Sequence, residues 1–178
     1  MIAKKWVLVL MNLLGGTAVL GSYAYGILTN PGAVDALWGG VPASARPFYT
    51  IGMFLAATGY FAFTYFILFR LDPGEARFFR RFSFGYINLV YATILLPSAL
   101  WMPLTILAVE QPGLASLWAV RLTLAIVALA SLVLLFAILN VKPRYPVWAH
   151  RMAIAGILAF CLQTVLLDAI IWGTLFRI

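Results

Sequence analysis

The chain has 178 residues, 65% of them apolar or aromatic and only 10% charged, with a formal net charge of +7 and a mean hydropathy of +1.03. Soluble domains carry roughly 45–50% apolar and about 25% charged residues, so a water-soluble globule and a disordered chain are both excluded. One cysteine and one histidine cannot build a disulfide scaffold, a zinc cluster or a haem held by two histidines, which leaves an integral membrane protein.

A bilayer's hydrocarbon core is about 30 Å thick and takes roughly 20 apolar helical residues. Five segments meet that length: 6–28, 49–71, 84–109, 116–140 and 149–176. Lipid offers the backbone no hydrogen-bond partner, and these runs lack the alternation of barrel strands, so they are predicted to be helices. The expected fold is all-α, a single five-helix membrane domain over residues 1–178.

The first predicted helix carries Asn12, Gly15, Val19, Ser22 and Gly26 at i, i+3, i+4 spacing, a small, weakly polar stripe suited to packing on another helix. Its basic start at Lys4 and Lys5, its apolar run and the triplet Ser22-Tyr23-Ala24 also imitate a signal peptide, whose cleavage after Ala24 would leave four helices. A retained helix accounts better for the stripe. The following loop, 29–48, is the longest connection and contains Pro31, Gly32, Trp38, Gly39, Gly40, Pro42 and Pro47. Two readings stay open: a lid over one end of the bundle, or an interfacial loop anchored by Trp38.

The second helix holds a further small-residue set, Gly52, Ala56 and Gly59. The next loop, 72–83, alternates Asp72 and Glu75 with Arg77, Arg80 and Arg81, and offers Phe78, Phe79 and Phe82 to the headgroup layer. It reads as a headgroup anchor, each basic residue contributing about 1 kcal/mol near anionic lipid. In the third helix Tyr91, Ser98, Trp101, Met102 and Thr105 cluster beside Pro97 and Pro103. Each proline removes a backbone donor, so this stretch is either a kinked structural helix or the wall of a pocket.

Only two charges lie deep in the last two helices. Arg121 and Asp168 both fall roughly 8–12 Å below the same surface at 1.5 Å per residue. An unpaired charge at mid-bilayer costs about 2.5–3.5 kcal/mol on insertion scales, and these helices are joined by a short loop, so an Arg121–Asp168 pair is expected. The alternatives are an Arg121 that snorkels to the headgroups and a protonated Asp168. Cys161, Thr164, Asp168 and Trp172 follow one another at helical spacing and share one face. His150, beside Arg151 near the opposite surface, reads as a headgroup contact.

Orientation follows from the lysines and arginines of the short loops. The N-terminus and the second and fourth loops hold Lys4, Lys5, Arg70, Arg77, Arg80, Arg81, Lys142, Arg144 and Arg151, against Arg46, Arg121 and Arg177 on the other side. The expectation is N-terminus inside and C-terminus outside. No basic soluble face is formed, so nucleic acid is not expected as a partner.

Trp38, Trp101, Arg121, Asp168 and Trp172 are thus expected to converge on a cavity in the outer leaflet, concave, aromatic and sparsely polar. It would suit a flat or rigid apolar ligand, with ring faces stacked on the tryptophans and Arg121 meeting a carboxylate. Trp6, Trp118 and Trp148 fit the interfacial aromatic belt instead.

Five helices, a long first loop, Leu20-Gly21-Ser22 in the first helix, Leu100-Trp101-Met102-Pro103-Leu104 in the third and Leu167-Asp168-Ala169-Ile170-Ile171-Trp172 in the fifth resemble the TspO/translocator protein (peripheral benzodiazepine receptor) family. The resemblance implies a pocket under the first loop for porphyrins, sterols and synthetic ligands, often in a homodimer. It assigns Trp101 and Pro103 to the pocket wall, and Asp168 and Trp172 to the element from the fifth helix. Ser98 and Asp168 stand where the family pattern has asparagine.

Three functional classes follow. The first is a receptor or carrier for a porphyrin- or sterol-type ligand, requiring no cofactor, with porphyrin or haem entering only as ligand. The second is an accessory subunit of a larger membrane complex, for which the small-residue stripes would be natural. The third and weakest is an enzyme, because acid–base chemistry needs titratable groups in mutual reach. The expected partners are membrane lipids, a hydrophobic small molecule and a second copy of the chain or a larger assembly. A retinal pigment is disfavoured because no lysine sits within a helix to form a Schiff base.

Overall fold

A computed structural model describes residues 2–31 and 34–177; Gly32 of the first loop lies outside them. The chain forms α1 (Ile2–Thr29), a short α2 (Val34–Leu37), a 3₁₀ turn (Ala43–Ala45), α3 (Arg46–Tyr65) continued by π-helical winding over Phe66–Arg70, α4 (Gly85–Glu110) and α5 (Leu114–Asn140). After α6 (Val147–Cys161) the helix widens into π winding over Leu162–Trp172 and closes with α7 (Gly173–Leu175). Five stretches are long and apolar enough to cross a membrane: Lys4–Thr29, Ala43–Arg70, Gly85–Glu110, Leu114–Asn140 and Val147–Leu175. They are the five spans expected from the sequence, in an all-α multi-pass bundle. Among the described residues the β pairing is confined to isolated bridges.

The spans pack in the order α1 on α4, α4 on α5, α5 on α6 and its π continuation, and α6 on α3. Between membrane helices there is no hydrophobic driving force, so close van der Waals contact and interhelical hydrogen bonds must hold them together. The tightest approach is backbone on backbone. A Cβ added to Gly156 would lie 2.5 Å from the Gly59 carbonyl oxygen and 3.1 Å from Ala62 Cβ, and one added to Gly59 would overlap the Gly156 carbonyl. The first-helix stripe serves α4 in the same way: a Cβ on Gly15 would meet Leu95 at 2.9 Å, and one on Gly26 would meet Met102 Cγ at 2.6 Å.

Hydrogen bonds join the remaining surfaces. The Tyr60 hydroxyl donates to Asn12 Oδ1 at 2.6 Å, tying α3 to α1. A hydrogen bond of 2.8 Å joins the Thr64 and Tyr91 hydroxyls between α3 and α4, and the Thr164 hydroxyl donates to Ser131 at 3.1 Å between the fifth span and α5. Pro97 and Pro103 leave α4 unbroken over its full length, and the Ser98 and Thr105 hydroxyls return to the Ile94 and Trp101 carbonyls at 2.7 Å.

The larger core, with Phe63, Phe66, Phe78, Phe84, Tyr91 and Leu134 fully buried, lies toward one end of the bundle. There Arg77 and Lys142 exchange two backbone hydrogen bonds of 3.0 and 3.1 Å, and Asn88 Nδ2 donates to the Lys4 carbonyl at 3.2 Å. The start of α1 and the loops 71–84 and 141–146 therefore share this basic end.

Two sequence expectations are corrected there. Phe78, expected in the headgroup layer with Phe79 and Phe82, is wholly buried and roots its loop in the core. His150 is also buried. Its ring nitrogen meets the Ile138 carbonyl at 2.9 Å, because α6 starts against the last turn of α5, whose terminal carbonyls have no intrahelical donor.

Gly156→Leu is expected to lower stability by about 1–3 kcal/mol, as overpacking at a close contact does, whereas Gly21→Leu, facing open space, leaves it unchanged. Thermal unfolding of both variants in detergent checks this; equal losses would show that the crossing is not the tight point.

Candidate functional site

The smaller core, at the end opposite the basic loops, gathers Val41, Tyr49, Ala108, Val120, Leu124, Trp172 and Phe176, with Trp38 and Trp101 packed against it. It is assembled from four directions. Trp172, on the last π-helical turn, is only 4% exposed and stacks on Phe176 at 4.5 Å. Trp101 of α4 meets the Trp172 ring edge-on at 5.4 Å and is stacked by Tyr23 of α1 at 5.3 Å. Offset and edge-to-face contacts of this kind suit aromatic quadrupoles.

The first loop closes over the cluster. The Trp172 indole N–H donates to the Leu37 carbonyl at 3.0 Å. Gly39 takes φ +66°, and a Cβ there would lie 3.0 Å from Trp172 Nε1, so glycine alone serves both the left-handed turn and the close approach. Trp38 sits edge-on to Tyr49 at 6.5 Å with the Arg46 guanidinium over its ring at 5.3 Å. Arg46 also pairs with Asp35 at 2.7 Å, which ties α2 to the start of α3.

The polar residues sit differently from expectation. Arg121 does not pair with Asp168. Its Nε donates to the Gly173 carbonyl at 2.9 Å and its Nη2 to the Phe176 carbonyl at 3.3 Å, with the guanidinium 5.6 Å from the Trp118 ring centroid. The last carbonyls of the fifth span have no intrahelical donor and carry the negative end of the helix dipole, so they take the guanidinium that the carboxylate was expected to hold.

Asp168 instead accepts a hydrogen bond from Gln163 Nε2 at 2.7 Å. The Tyr23 and Tyr49 phenols lie within coulombic range of its carboxylate, and the Tyr49 hydroxyl donates to the Leu167 carbonyl at 3.0 Å. Gln163 is 4% exposed, and its Oε1, pressed toward Gly52, has no donor. The Trp101 indole N–H is shut off from solvent and has no acceptor. A buried polar group without a partner costs on the order of 1–3 kcal/mol.

Gln163 escapes a sequence reading for a geometric reason. At about 100° per residue an α-helix sets positions five apart on different faces, but the i→i+5 winding over Leu162–Trp172 brings Gln163 and Asp168 into register. Tyr23, Tyr49 and Phe176 were likewise hidden among generic apolar residues. Of the expected site, Trp38, Trp101 and Trp172 come together, and Asp168 lies beside them through Tyr23 and Tyr49. Pro103 does not join them: it is exposed and lines an open groove of about 330 Å³ between α1 and α4, with Tyr25, Gly26, Asn30, Ile106 and Glu110. Trp6, Trp118 and Trp148 are all more than half exposed, as an interfacial belt requires.

Arg121→Ala and Asp168→Ala are expected to lose stability additively, within about 0.5 kcal/mol, because the two side chains share no partner. A double-mutant cycle on thermal unfolding in detergent checks this; a coupling above about 1 kcal/mol would restore the ion pair.

No family model, no curated protein and no solved structure matches the chain.

Proposed function

We propose that the chain is a TspO-like membrane receptor or carrier. In this reading it binds a flat apolar ligand of porphyrin or sterol type among Trp38, Trp101 and Trp172, with Gln163 and Asp168 at the polar side. The observation that carries the reading is the Trp101 indole N–H, desolvated and without an acceptor, in a cluster whose other faces are aromatic. A buried donor without an acceptor carries a cost that calls for an explanation, and a guest supplying an acceptor removes it.

The hydrogen bonding favours the sterol type. Arg121 is committed to backbone carbonyls and does not offer its fork to a carboxylate. A hydroxyl or carbonyl edge is the better match. Entry involves release of the loop, whose hold on the cluster is the Trp172–Leu37 hydrogen bond and the close packing of Gly39.

The excess of basic residues around the loops 71–84 and 141–146 supports an orientation with that end inside and the aromatic cluster in the outer leaflet. A homodimer or larger complex is a second reading, favoured by α1. That helix packs chiefly on α4, and nothing approaches Gly16 or Gly21, which leaves room for another helix.

Energy transfer from tryptophan to a fluorescent sterol or to protoporphyrin is expected to saturate at micromolar ligand, a binding free energy of about −8 kcal/mol. Trp101→Phe, which keeps the ring and removes the N–H, weakens binding by about five- to thirtyfold. Unchanged affinity in this variant removes the pocket. On a native gel the assembly reading expects a band of at least two copies that Gly16→Leu disrupts.

A further inference from the structure

A second concave site lies at the basic end. Phe79, Arg80, Asn140, Lys142 and Arg144 line an open groove of about 410 Å³. The three cations come from two loops that sequence separates widely, and the Arg77–Lys142 backbone pair, at 3.0 and 3.1 Å, joins those loops. No acidic side chain lines the groove. Among the described residues the one ion pair is Arg46–Asp35, at the opposite end, so none of the three charges is neutralised within the chain.

The groove is also held in shape. Phe78 and Phe82 exchange backbone hydrogen bonds of 2.9 Å around a turn in which Phe79 and Arg80 both take left-handed φ, 53° and 61°, a region that residues with a Cβ seldom occupy. Phe79 is further fixed edge-on to Phe82 and Tyr86 at 6.3 and 6.4 Å. Arg144 donates through Nε and Nη2 to the Val141 and Leu139 carbonyls at 3.3 and 2.5 Å, which caps α5 and leaves Nη1 free. Arg144, whose side chain is held in this way, loses little freedom on binding an anion, and the backbones that carry Arg80 and Lys142 are fixed beside it.

Level with this loop region, Arg70 lies over the rings of Tyr65 and Trp148 at 5.2 and 5.4 Å, and Trp148 is 51% exposed. Aromatic rings with a polar tip settle at the headgroup boundary, and Trp148 stands two residues beyond the 141–146 loop that carries Lys142 and Arg144.

We propose that Arg80, Lys142 and Arg144 bind a phosphate ester in this groove, with the Phe79 ring covering the apolar side of the headgroup. The planar guanidinium forks match phosphate oxygens, and the lysine adds a point charge. The site is independent of the aromatic cluster at the other end of the bundle.

The test is native mass spectrometry of the detergent-solubilised full chain, titrated with phosphatidic acid or with phosphatidylcholine of the same acyl chains. Phosphatidic acid is expected to bind about thirtyfold more tightly, as two basic contacts near a lipid anion supply. Arg80→Gln with Lys142→Gln abolishes that preference. The charge-matched control, Lys4→Gln with Arg151→Gln, alters exposed basic residues outside the groove at the same end and keeps the preference within about twofold. Equal loss in both double variants, or a wild-type chain that does not separate the two lipids, overturns the proposal. Millimolar glycerol phosphate decides the source: failure to displace the lipid assigns the site to headgroups, and displacement assigns it to a soluble phosphate ester, the phosphate site standing in either case.

Discussion

The bundle depends on the contact of two backbones. At Gly59 and Gly156 the second and fifth spans approach so closely that neither position has room for a Cβ, and this sets the distance and register of the two helices along their length. The consequences run upward from that crossing. Gln163, two turns beyond Gly156, is pressed against Gly52. Tyr49 reaches the Leu167 carbonyl. Trp172, at the end of the same helix, is delivered beneath the first loop. In lipid the hydrophobic effect does not bring helices together, so such a contact determines the arrangement through dispersion and shape alone.

A second constraint concerns helix ends. Every membrane helix finishes with carbonyls that lack an intrahelical donor, and hydrocarbon supplies none. In this chain side-chain donors meet that need: Arg121 for the fifth span, and Arg144 and His150 for α5. This explains why an arginine and a histidine sit where a purely apolar count would not place them. It also explains why Arg121 is not the counter-ion of Asp168. Two carbonyls already in place, at the negative end of a helix dipole, accept its donors without a second desolvated charge being brought to it.

The two ends of the molecule differ in kind. One is a tightly packed aromatic cluster with an unpartnered indole N–H and a carboxyl group hydrogen-bonded to the Gln163 amide. The other is an open, positively charged groove on ordered loops. The first holds a buried hydrogen-bond donor without an acceptor; the second brings three cations together without an acidic neighbour.

The five spans, their limits to within a few residues and the inward set of tryptophans were legible in the amino-acid sequence, because the length and apolarity of a segment alone decide whether it can cross a bilayer. The small-residue stripes were legible too, since Gly15, Gly26 and Gly59 announce close approach by their size. What the residues meet was decided only by the folded chain. Matching depth placed Arg121 and Asp168 together, yet depth along the membrane normal says nothing of azimuth, and the last turn of the fifth span captured the arginine. Gln163 and Asp168 became partners because π winding replaced the 3.6-residue period that any helical wheel assumes. Arg80, Lys142 and Arg144 formed one groove because a backbone pair between distant loops brought them together. Segment hydrophobicity is a local property written residue by residue, whereas rotation about a helix axis and the docking of loops depend on which surfaces fit, and that is settled only when all five helices are in place.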